Sequence, residues 1–125
     1  MDTIHVGKKL VDLCREGKFR EAMEALYSPD IVSIEAGAGP NMPARVDGID
    51  AVRKKADWWE QNHEVHSVDV NGPFPNGDQF IVRFMLDVTA KSGPMAGQRM
   101  VLDEAGLYTV TDGKITQEEF FYTMG

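Results

Sequence analysis

The sequence is short of cysteine, of positive charge and of long apolar runs, and each shortage excludes something. Cys14 is the single cysteine, so no internal disulfide can form and a reducing cytoplasm is the expected compartment. Its thiol reads as a small core residue rather than a nucleophile. Thirteen Lys and Arg face 20 Asp and Glu, a net charge of −7, which argues against nucleic acid or an anionic membrane as partner. The one basic triplet, Arg53-Lys54-Lys55, is read as the solvated face of a helix. No stretch approaches the roughly 18 apolar residues of a membrane span. The opening Met-Asp-Thr-Ile-His has no charged region followed by an apolar one, so no secretory leader is expected. The Gly/Pro-rich loop from Ala36 to Pro43 lacks the Lys-Ser or Lys-Thr pair of a phosphate cradle and the parallel βαβ unit of a dinucleotide site.

What is present is one domain, residues 1–125, long enough to bury a core and too short for two. Its 42% hydrophobic and 26% charged content are ordinary for a globular chain. The second half carries four strand-like runs. Val65, Val68 and Val70 mark the first, Glu64–Val70, which Asn71-Gly72-Pro73 is expected to break. Phe80, Val82, Phe84, Leu86 and Val88 recur at period two along the second, Gln79–Ala90. Pro75-Asn76-Gly77-Asp78 precedes it as a turn. The third, Gln98–Thr111, leads through Asp112-Gly113 into the fourth, Lys114–Met124, a hairpin signal between apolar runs.

The first half supplies helices to cover that sheet. Thr3 is the expected cap of a helix to about Glu16, with Val6, Leu10, Leu13 and Cys14 at helical spacing and Gly17 behind it. Phe19, Ala22, Met23, Leu26 and Tyr27 share a face of a second helix, ended by Ser28-Pro29. Asp30 to Glu35 is a short β-type run around Ile31-Val-Ser-Ile34. A third helix runs from Asp47 or Gly48 to about Asn62, its buried stripe being Ile49, Val52, Ala56 and Trp59. The order helix, helix, strand, helix, four strands predicts an α+β fold: helices on one side of a strongly curved mixed or antiparallel sheet that encloses a pocket.

In that order the sequence resembles the SnoaL-like, NTF2-like and ketosteroid-isomerase-like proteins, a superfamily with a cystatin-like fold. The resemblance rests on Gly17-Lys-Phe19 between the helices and Leu26-Tyr-Ser-Pro-Asp-Ile31 before the first strand. It continues with Gly48-Ile-Asp-Ala-Val52 opening the third helix, Asn71-Gly-Pro73, and Val110-Thr-Asp-Gly-Lys-Ile115. It implies the NTF2-like cone. It does not fix the function, because the fold hosts isomerases, cyclases, dehydratases, transport factors and ligand binders. Ketosteroid isomerases place a general base at the end of the first strand, and counting from Asp30 brings Glu35 to that place. Their oxyanion-donating Tyr on the first helix falls near Leu10, and the acid of the polyketide cyclases falls near Gly106, so both are missing. Glu104 lies two residues from Gly106 on the same face.

The resemblance and the alternation together give a candidate pocket. Glu35, Glu118 and Tyr122 are the candidate catalytic groups. Trp58, Trp59, Phe80, Glu104, Tyr108 and Phe120 are the candidate ligand-binding residues. Carboxyls this close are expected to push at least one pKa upward, leaving a neutral acid beside a charged base. Other assignments stay open. Either Glu118 or Glu119 faces inward, and one of Trp58 and Trp59 points away. Glu35 is a base, a rim residue, or the structural partner of Arg45 or Arg83. Asp87 meets solvent, a partner subunit, or Arg83 or Arg99. His63 and His66 straddle a helix-strand junction, and neither a metal nor an organic cofactor is expected.

Two functions follow. One is an enzyme moving a proton on a small hydrophobic carbonyl compound, of isomerase, cyclase or dehydratase type. The other is a module that binds a small ligand or dimerises without chemistry. A cone filled by Phe80, Phe84, Phe120, Phe121 and both Trp residues would leave no cavity at all. A homodimer is expected, because helices cover one face of the sheet while Ile81, Met85, Val101, Leu107 and Phe121 line the other.

Overall fold

A computed structural model describes residues 2–39 and 42–123. Helix α1 (Thr3–Arg15) is capped by Asp2, one residue before the expected Thr3, whose carboxylate accepts the His5 amide at 3.0 Å. Val6, Leu10, Val11 and Cys14 form its buried stripe. Helix α2 (Phe19–Leu26) buries Ala22, Met23 and Leu26 and ends at Leu26. Strand β1 (Tyr27–Ile34) begins directly, so Tyr27, expected on the helix face, belongs to the strand, and Ser28-Pro29 lies inside it. A strand that the sequence does not announce, β2 (Arg45–Asp47), pairs antiparallel with β1. Helix α3 (Ile49–Asn62) follows, then β3 (His63–Asn76), β4 (Gln79–Ala90), β5 (Arg99–Thr111) and β6 (Lys114–Phe121).

The fold is the expected α+β cone: three helices against one six-stranded sheet of order β2-β1-β6-β5-β4-β3. Every pairing is antiparallel except β1 with β6, which is parallel. Burial along β4 follows the period: Phe80, Val82, Phe84, Leu86, Val88 and Ala90 are buried. The β5–β6 hairpin turns through Asp112 (φ 51°) and Gly113 (φ 77°), the positive angles that a two-residue hairpin needs. Asn71-Gly72-Pro73 does not break β3. The strand crosses it through a register shift between Asn71 and Phe74 and stays paired with β4 to Asn76, an irregularity that adds curvature. The fourth run is described as strand to Phe121. Met124, its expected end, lies outside the described residues, as do Pro40 and Asn41 of the Gly/Pro-rich loop. No described helix is long and apolar enough to cross a membrane.

Helix α1 lies close on the sheet because Gly7 has no side chain. A Cβ there would come 2.9 Å from Pro73 Cβ and 3.3 Å from Phe80 Cγ. Gly7→Ala should therefore destabilise the protein by about 1–2 kcal/mol, overpacking outweighing the gain of roughly 1 kcal/mol in helix propensity. Urea unfolding of the two proteins checks this; a more stable variant would mean that the helix can lift off at no cost.

Candidate functional site

Sheet register builds the floor of the site. Ser33 on β1 pairs with Glu118 on β6, Glu118 with Tyr108 on β5, and Tyr108 with Phe80 on β4. All four side chains therefore sit on one face, and all four are buried. Glu118, not Glu119, is the inward carboxylate and is 4% exposed. A buried carboxyl needs partners. Glu118 accepts hydrogen bonds from Ser33 Oγ at 2.7 Å and from the Tyr27 hydroxyl. Burial pushes its pKa up, against the opposing pull of Lys55 and of its two hydrogen bonds. Burial and the same carboxyl push the Tyr27 hydroxyl well above its ordinary pKa, so it stays a donor.

Above the floor lies a cavity of about 790 Å³, within the range of small-molecule sites. Of the expected residues, Glu35, Glu118, Tyr122, Trp58, Trp59, Glu104, Tyr108 and Phe120 line it. Phe80 does not: it is 1% exposed and stacked beneath Tyr108, centroids 5.1 Å apart, and is core rather than ligand wall. Phe120 meets Tyr108 edge-on at 6.2 Å. The cone is thus not filled by its own aromatics, and Phe121 faces out, 51% exposed. Both tryptophans line the cavity. Trp58 is exposed, while Trp59 is half-buried and stacked on His63 at 4.5 Å.

The basic triplet is not simply a solvated face. Lys55 stands three residues after Val52 and four before Trp59, on the buried stripe of α3. Its side chain is 15% exposed; its ammonium donates to Glu35 Oε2 at 2.9 Å and to Ser33 Oγ, and lies 5.4 Å from the centre of the Phe120 ring. Glu35 follows β1 directly, held by its amide to Ala44 O at 2.7 Å. Its other oxygen accepts the Tyr122 hydroxyl at 3.3 Å. Arg45 and Arg83 are not its partners; they bind Asp47 and Asp103. The result is one continuous path: Tyr122–Glu35–Lys55–Ser33–Glu118–Tyr27. Lys55, Ser33 and Tyr27 were not anticipated. Only Lys55 leaves a trace in the sequence, its helical spacing.

Glu104, opposite Phe84 in the β4–β5 register, is the second raised carboxyl. Burial, with Glu35 nearby, lifts its pKa to about 7. Burial lifts the Tyr122 hydroxyl to about 12, and the Cys14 thiol also to about 12, which leaves that thiol a poor nucleophile. Gly106 cannot be exchanged for an acid, since a Cβ there would come 2.8 Å from the Tyr108 ring. Asp87 lies on the opposite face, bridged to Arg99 by two hydrogen bonds of 2.9 Å. His66 bonds Thr89, and His63 bonds the Trp59 carbonyl. Among the described residues no three His, Cys, Asp or Glu gather as a metal site.

The family described as SnoaL-like domain matches residues 1–122. A Mesorhizobium loti structure, provisionally described as a SnoaL-like polyketide cyclase with carbohydrate phosphatase as a second description, is 45% identical. It is covered over 98% of this chain and 100% of its own, at a TM-score of 0.90. A Xanthomonas campestris protein of cystatin-like fold is 17% identical over 97% of this chain and 90% of its own, TM-score 0.76. A Bacillus subtilis structure provisionally described as an isomerase is 15% identical over 98% and 90%, TM-score 0.75. The last two show the fold alone. No curated protein matches.

The raised Glu104 pKa has a measurable sign. Ionising a carboxyl that burial holds at about 7 instead of 4.5 costs the folded state more than the unfolded one. That stability is fully present below about pH 4.5 and is lost as pH rises through about 7. Glu104→Gln should therefore equal wild type near about pH 4 and exceed it by about 1–3 kcal/mol near about pH 8. Chemical denaturation at the two pH values checks this, and a constant difference would contradict it.

Proposed function

This chain belongs to the SnoaL-like family, and on that premise we propose that it is an enzyme moving a proton on a small hydrophobic carbonyl compound. The observation that carries the reading is the division of labour among the cavity's carboxyls. Glu35 is bonded to an ammonium group, whereas Glu104 lies in the same cavity with its pKa lifted to about 7. A charged base and a neutral acid facing one apolar space are what abstraction of a proton α to a carbonyl, and its return elsewhere, requires. Glu35 is the base. Glu104 is the proton donor, with Glu118 and Tyr122 positioning the pair. Trp58, Trp59 and Phe120 provide the apolar wall. The cyclase description of the 45% identical Mesorhizobium loti structure agrees with this reaction class.

A second reading, a small-ligand binder without chemistry, is favoured by one observation: Lys55 occupies one oxygen of Glu35. Deuterium exchange separates the two. Across a panel of aryl ketones in D₂O, the enzyme should incorporate deuterium at the α-carbon, followed by proton NMR. Glu35→Gln should slow exchange by about 10²-fold or more, the usual worth of a general base. Binding without exchange would move the binder to first place.

Homodimerisation through the outer sheet face belongs to the same proposal. Phe74, Ile81 and Phe121 are 57%, 42% and 51% exposed, and Phe74 pairs directly with Ile81. Large apolar side chains grouped in this way mark an interface. Sedimentation at micromolar concentration should show a dimer, and Ile81→Glu with Phe121→Glu a monomer; a monomeric wild type would remove the proposal.

A further inference from the structure

We propose that Lys55 is the anion-binding element of the cavity, holding the oxygen on which negative charge develops and so selecting carbonyl compounds that pass through an enolate. The inference rests on the proton-transfer reading above and adds to it one residue of this chain, the cation that receives the developing negative charge, for which a phenolate is a stable look-alike.

The argument is one of donors. A developing oxyanion in an apolar site needs preorganised hydrogen-bond donors or a cation. The hydroxyls of Tyr27 and Tyr122 are committed to Glu118 and Glu35, and that of Ser33 to Glu118. Arg20, the other cation lining the cavity, is engaged by Asp57 and Glu60. Lys55 differs. An ammonium has three N–H groups, and among the described residues only two find an oxygen, on Glu35 and on Ser33. The nitrogen lies 5.4 Å from the centre of the Phe120 ring, which leaves the third N–H for a ligand lying over that ring. A second donor faces the same space. Tyr108 is 2% exposed and lines the cavity, and its hydroxyl makes no hydrogen bond among the described residues.

The chemistry balances without a further reactant. A Glu35 oxygen takes the α-proton, and the C–H electron pair becomes the carbon–carbon π bond. The carbonyl π pair moves to oxygen, where Lys55 N–H and Tyr108 O–H donate to it. Return of the proton to another carbon reverses these movements, and nothing is oxidised or reduced. The base and the cation are 2.9 Å apart, so one small fragment, H–C–C=O, can meet both.

The test is the ionisation state of a bound dye, 4-nitrophenol, whose absorption distinguishes phenol from phenolate. The groups facing it pull in opposite directions: Glu35, Glu104 and Glu118 favour the neutral dye, Lys55 the ionised one. At one fixed pH the wild type should hold a larger phenolate fraction than free solution does. Lys55→Met should lose it and bind the dye roughly 10- to 100-fold more weakly, the worth of a charged hydrogen bond. Lys55→Arg should retain the phenolate, and Tyr108→Phe should weaken it by a smaller factor. Equal binding of 4-nitroanisole by all variants controls for folding. Neutral dye in the wild type, or phenolate held equally by Lys55→Met, would overturn the assignment. Phenolate bound by a protein that fails to exchange deuterium would leave Lys55 as the anion site of a binder, so the two proposals fail separately.

Discussion

Everything in this cone turns on how one buried carboxyl is satisfied. Glu118 sits where sheet, helices and cavity meet, and a carboxyl in that position must be hydrogen-bonded or paired, or else be neutral. Its two oxygens accept from Ser33 and Tyr27, both on β1. Lys55 reaches the same cluster from α3 through Ser33. The parallel pairing of β1 with β6 is what brings Ser33 opposite Glu118. A slip of one residue would turn Glu119 inward and leave the cluster without its centre. The polar network therefore specifies the register as much as the apolar stripes do.

The same cluster explains the electrostatics of the cavity. Several carboxyls face a space with one cation engaged among them, so their ionisations cannot be independent. Glu104 makes no side-chain hydrogen bond among the described residues, and burial lifts its pKa to about 7. Glu35 and Glu118 share Lys55, directly in one case and through Ser33 in the other. The three carboxyls thus differ in their surroundings and partners, not in their residue type.

The fold was legible where periodicity speaks. The apolar stripes of α1, α2 and α3 and the alternation of β4 are local signals, and the structure follows them. β2 left no such signal, because three residues become a strand only by lying against β1. The span 71–73 reads as a break because Gly and Pro usually end strands, but β4 continues to pair on its far side. In the site, Glu35 and Glu104 could be placed by counting and by face. The choice of Glu118 over Glu119 needed the register. Lys55 was obscured by its basic neighbours, although Val52, Lys55, Ala56 and Trp59 lie at helical spacing. Tyr27 read as the apolar end of a helix, and its hydroxyl acquires a role only once β1 runs beside β6.

The parallel β1–β6 pair also has a kinetic side. Ser33 and Glu118 are 85 positions apart, and Tyr27 and Glu118 are 91. Contacts of such long range form late, because the closure entropy of the intervening loop must be met first. During synthesis from the N-terminal side, α1, α2, β1 and α3 are made well before β6 exists to receive them. Until it docks, β1 presents an unpaired edge to its surroundings. The floor of the pocket is therefore complete only once β6 is in place: without it Ser33 and Tyr27 lack the carboxyl they donate to.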